Sequence, residues 1–113
     1  MMAVNRRRGE IAATLDGREY RLCLTLGALA ELEDAFGAED LGALATRFSN
    51  GRLSARDMVK IIAAGLRAGG TPVGEDEVAA MACEGGAAGF ARIVSALLTA
   101  SFGGGEAAGQ NPP

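Results

Sequence analysis

Two alternating runs meet at Asp16-Gly17, and this junction constrains the chain more than any other feature. Glu10 to Leu15 places Ile11, Ala13 and Leu15 on one face. Arg18 to Leu24 places Tyr20, Leu22 and Leu24 on one face and Arg21 and Cys23 on the other. An Asp-Gly pair between such runs favours a type I′ turn, because both central residues tolerate positive φ. The residues therefore predict a β-hairpin over 10–24. A lone hairpin is marginal in water, so its apolar face needs helices or a strand from another molecule.

Everything after the hairpin reads as helix. Thr25 is a good N-cap, and Leu29, Leu32 and Phe36 recur at helical spacing up to Gly37, a suitable left-handed stop. Asp40 is placed to cap a second helix whose stripe is Leu41, Leu44, Ala45 and Phe48. Ser54 with Asp57 forms a variant capping box ahead of Met58, Ile61, Ile62, Gly65 and Leu66, which ends at Gly69-Gly70. Glu75, Asp76 and Glu77 load the first turn of another helix, where the dipole favours carboxylates, and Val78, Met81 and Ala82 supply its apolar side. After Glu84-Gly85-Gly86, a last stripe runs through Phe90, Ile93, Val94, Leu97 and Leu98.

The expected fold is α+β and mainly α. An N-terminal hairpin is followed by about five short helices, over 26–36, 41–49, 55–68, 75–84 and 87–102, in a single domain of residues 10–102. Residues 1–9 read as a flexible arm and 103–113 as a disordered tail. The core has to be aliphatic, since the 113 residues include no Trp, one Tyr and four Phe. Seventeen glycines let helices approach closely, but each one inside a helix costs about 0.5–1 kcal/mol relative to Ala.

The same residues argue against catalysis. The chain has no His, the commonest general base and metal ligand. Gly85-Gly86-Ala87-Ala88-Gly89 follows a helix and lacks the Lys-Ser/Thr of a phosphate loop. The carboxylates mark helix starts and exposed faces, so no catalytic, cofactor or metal residue is assigned. Cys23 and Cys83 are too few and too far apart for a metal motif or disulfide framework, and read as buried free thiols of a reducing compartment. A net charge of −3 opposes a general nucleic-acid footprint, although Arg6-Arg7-Arg8 leaves a DNA-binding regulator as a remote alternative. No apolar run approaches the length of a membrane span, and no signal peptide precedes the hairpin, which points to a protein that is cytoplasmic or assembled into something from the cytoplasm.

The runs Gly9-Glu10-Ile11, Leu15-Asp16-Gly17 and Leu24 to Glu33 resemble the start of the small phage-tail proteins of gene transfer agents. Phe48 to Asp57 and Glu84-Gly85-Gly86-Ala87 resemble further segments, so the likeness covers most of residues 9–102. Gly74 departs from the Ser-type cap expected after Pro72. Gene transfer agents are phage-derived particles that package host DNA. The family is grouped with tail assembly chaperones and is also labelled a tail tube protein. The resemblance implies a non-enzymatic tail morphogenesis factor without cofactor or small-molecule substrate. It would bind the tape-measure or tail tube protein, with homo-oligomerisation as a further expectation. The alternative is a structural component that stays in the particle. One hairpin offers too little strand for the continuous sheet of a tube wall, which favours the chaperone. Leu29, Leu32, Phe36, Phe90 and Leu97 are the candidate partner contacts, and each reads first as core.

Overall fold

A computed structural model describes residues 9–37, 39–40, 42–43, 46–47, 50 and 54–101. Residues 1–8 of the expected arm and the whole expected tail lie outside the described residues, while Gly9, the last residue of that arm, is buried. So does most of the expected helix over 41–49, including Leu41, Leu44, Ala45 and Phe48. Within that stretch, the Asp40 carboxylate accepts from the Ala43 N–H at 2.8 Å, as a capping residue would.

The hairpin forms as β1 (Ile11–Leu15) and β2 (Arg18–Leu22), antiparallel, with Leu15 opposite Arg18 and Ile11 opposite Leu22. Asp16 (φ 54°) and Gly17 (φ 75°) both take positive φ, the type I′ geometry that the dipeptide predicts. Ile11, Ala13, Leu15 and Leu22 are buried and Tyr20 is half-buried, while Ala12 and Thr14 are exposed. The period-2 pattern has selected the face that meets the helices.

Among the described residues there are four helices: α1 (Leu26–Phe36), α2 (Ala55–Ala68), α3 (Glu75–Ala79) and α4 (Gly86–Ser101). Thr25 caps α1 by accepting from the Ala28 N–H at 3.1 Å, and Gly37 (φ 67°) closes it. The Ser54 capping box is complete. Its hydroxyl accepts from the Asp57 N–H, and the Asp57 carboxylate accepts from the Ser54 N–H, both at 3.1 Å. At Gly74 the Glu77 carboxylate accepts from the glycine N–H at 2.9 Å, so α3 starts without a capping side chain at that position.

The centre of the molecule is α2. It touches β2, α1, α3 and α4, and Ile61 to Leu66 are all buried. Periodicity predicts a stripe through Met58, Ile61, Ile62, Gly65 and Leu66. The structure also buries Ala63 and Ala64, because neighbours surround the helix on several sides. Two glycines bring β2 onto it. A Cβ on Gly69 would collide with the Arg21 carbonyl oxygen, and one on Gly65 would stand 3.3 Å from Leu22 Cδ2 of β2 as well as 2.7 Å from Leu97 Cδ2 of α4. With no side chains there, the Cys23 N–H reaches the Gly65 carbonyl at 3.2 Å, and Arg21 Nε donates to the Gly69 carbonyl at 3.3 Å.

One boundary differs from expectation by several residues. The helix expected over 75–84 ends at Ala79, leaving Met81 and Ala82 beyond it. The last turn tightens as the Ala80 and Met81 N–H groups reach back three residues, to Glu77 and Val78. The chain is then held by the hairpin turn. The Asp16 N–H donates to the Ala82 carbonyl at 2.9 Å, and the Asp16 carboxylate accepts from the Ala82 N–H at 2.8 Å. Two bonds to a residue 66 positions away outweigh helical continuation. The final helix begins one residue earlier than expected, at Gly86, and Phe102 lies outside the described residues.

Candidate functional site

A half-open groove of about 430 Å³ lies where α2, α3 and the first turns of α4 meet. Ala55, Met58, Val59 and Ile62 of α2 form one wall. Val78 and Ala79 end the second, Met81, Ala82 and Cys83 continue it, and Gly86, Ala87 and Phe90 of α4 form the third. The short α3 creates this space: had the helix run on to residue 84, Met81 to Cys83 would follow a helical path instead of running to the hairpin turn.

The lining carries no charged side chain. A pocket for a small polar molecule needs a few convergent polar groups to orient it. Here the polar side-chain atoms reduce to thiol and thioether sulfur. The Cys83 thiol donates to the Glu84 carbonyl at 3.5 Å. The arrangement suits an apolar side chain or a helix face, and methionine adapts to varied shapes because it is unbranched and polarisable.

The candidate contact residues separate. Phe90 is half-buried and lines the groove. Leu29, Leu32 and Leu97 are buried, at 6%, 2% and 0% exposure, so their side chains serve this chain's own core. Phe36 is half-buried beneath Arg47, whose guanidinium carbon sits 5.4 Å from the ring centroid. The groove also uses Met58, Val59, Met81 and Cys83, which were not candidate contacts. Met58 carried a helical-stripe signal, but nothing local marks Met81 as the residue that leaves its helix. Leu26, at 81% exposure, is a further exposed apolar side chain, at the start of α1.

Neither cysteine forms a disulfide, and both are half-buried rather than fully buried, with the Cys23 thiol donating to the Ala68 carbonyl at 3.4 Å. Among the described residues no group of three His, Cys, Asp or Glu could hold a metal ion, and no helix is long and apolar enough to cross a membrane.

The hairpin's two outer edges differ. Cys23 and Gly69 bring the β2 edge against α2, as described above. At the β1 edge, Asp16 bonds Ala82, but Ala12 and Thr14 face a shallow groove of about 290 Å³ whose far wall includes Gly89, Arg92, Ile93 and Ala96 of α4.

Comparison with known proteins agrees with the resemblance in the residues. Neither the curated proteins nor the solved structures include a match to this chain. A family model described as "Phage tail tube protein, GTA-gp10" matches residues 8–104. That match takes in the hairpin and every described helix, and the chain therefore belongs to the GTA-gp10 family of phage tail tube proteins.

Proposed function

We propose that this chain is a non-catalytic tail morphogenesis factor whose groove holds an apolar segment of the tape-measure or tail tube protein before assembly. The observation that carries this reading is the uncharged groove, left open at Met58, Val59, Met81 and Phe90 in a member of a tail family. Adaptable methionines suit a binder that must accept segments of differing shape. The described residues hold a two-stranded sheet only, which supports a helical holder over a strand-rich wall subunit. The protein would act in the bacterial cytoplasm, where tails are built.

The family's description as a tail tube protein favours a second reading, in which the chain stays in the finished particle. Co-expression with the tape-measure and tail tube proteins of the same gene cluster separates the two. A soluble complex with either protein, weakened by Met81→Glu and absent from purified particles, supports the chaperone. No complex, with several copies in each particle, rejects it in favour of the structural component.

A further inference from the structure

The Asp-Gly turn sets which backbone groups of β1 face outward. In a two-residue hairpin the flanking pair Leu15–Arg18 is hydrogen-bonded, as are Ala13–Tyr20 and Ile11–Leu22 by alternation. Ala12 and Thr14 occupy the intervening positions, so their N–H and C=O groups point away from β2. Two observed bonds agree with this parity: the outward N–H of Asp16 reaches Ala82, and the outward N–H of Cys23 reaches Gly65.

Along this edge Ala82 already takes the place of a third-strand residue beside Asp16. The chain then turns away, with the Gly86 N–H bonded to the Cys83 carbonyl at 2.9 Å. Ala12 and Thr14 are left exposed and facing the groove against α4, with no bond on that side among the described residues. Unpaired strand groups in a row are matched by another extended backbone. The groove floor contributes Ile93 and Ala96, both half-buried. Its rim carries Arg92, an exposed cation without an ion pair among the described residues. Glu84 lines the same groove, which disfavours an occupant with more than one acidic side chain.

We infer that the open edge of β1 binds an extended segment of another polypeptide as a third strand. The segment has apolar side chains toward Ile93 and Ala96 and one carboxylate toward Arg92. This surface shares only Cys83 with the groove at Phe90, and its occupancy does not depend on the chaperone reading.

The test is selection of short peptides by the purified chain from an unbiased display library and from tiles of the neighbouring tail proteins. Proline at an outward-facing edge position removes a donor without breaking the β1–β2 ladder. Ala12→Pro should therefore leave thermal unfolding nearly unchanged while weakening selected peptides by about tenfold or more. Arg92→Glu, which leaves the backbone alone, should do the same for peptides bearing a carboxylate. Methylating alternate backbone nitrogens of the peptide should abolish binding, whereas Met81→Glu should not affect it. Library peptides that meet these criteria, without any tail-protein tile, uphold the edge site and count against the tail proteins as its source. No selected peptide, or binding that survives both Ala12→Pro and Arg92→Glu, overturns the inference. Dimerisation of the chain that Ala12→Pro abolishes also overturns it, by assigning the edge to a second copy.

Discussion

Gly27 and Gly69 have the same side chain and opposite roles. Gly27 is exposed in the first turn of α1, and a Cβ there would meet only Thr25 Oγ1, at 3.8 Å. Gly27→Ala should stabilise the chain by about 0.5–1 kcal/mol, the ordinary helix preference. At Gly69 a Cβ would collide with the backbone of β2 at Arg21. A main-chain oxygen cannot swing aside as a side chain can, so Gly69→Ala should cost about 1–3 kcal/mol. Thermal melting of the two variants should move in opposite directions, by about 4–8 °C per kcal/mol for a domain of this size. A fall for both would reject the close-approach account of Gly69.

Asp16 links the hairpin to the segment between α3 and α4. It takes φ 54° in the turn, and its carboxylate and N–H both bond Ala82. Asp16→Ala loses the acceptor and strains the backbone, for an expected cost of about 1–3 kcal/mol. Asp16→Asn tolerates positive φ and keeps an acceptor, so it should recover most of that loss. Equal losses for Ala and Asn in denaturant unfolding would show that the carboxylate charge, and not the bond geometry, matters. At the start of α2 the capping box closes locally, by two reciprocal bonds between Ser54 and Asp57. Ser54→Ala should therefore cost about 1 kcal/mol. Its effect should add to that of Asp16→Ala, because the two sites share no partner.

For the molecule as a whole, stability and the proposed partner binding are expected on different faces of one helix. Leu97 on α4 is fully buried, against Gly65 of α2, whereas Phe90 is half-buried and opens into the groove. Leu97→Ala should cost about 2–5 kcal/mol and lower soluble yield with or without a partner. Phe90→Ala should lower the melting temperature less and reduce recovery of the co-expressed tail complex more. Calorimetry and pull-down on the two variants check this contrast, and a parallel loss in both assays would place Phe90 in the core.

The sequence alone determined the elements whose causes are local. Asp16-Gly17 set the turn, alternation set the buried hairpin face, and Thr25, Ser54 and Gly37 set helix ends, because each acts within a few residues. The resemblance in the runs around Leu15 to Glu33 also reached the tail family without any structure. The tertiary structure decided features made by distant pairings. Burial of Ala63 and Ala64 depends on the elements that surround α2. The early end of α3 depends on Asp16, 66 positions from Ala82. Assignment of Leu29, Leu32 and Leu97 to the core, with Phe90 left at a groove, depends on how helices with similar stripes pack together. Helical periodicity identifies an apolar face. Whether that face is covered depends on which other elements reach it, and the groove and the open β1 edge are where none of the described elements completes the covering.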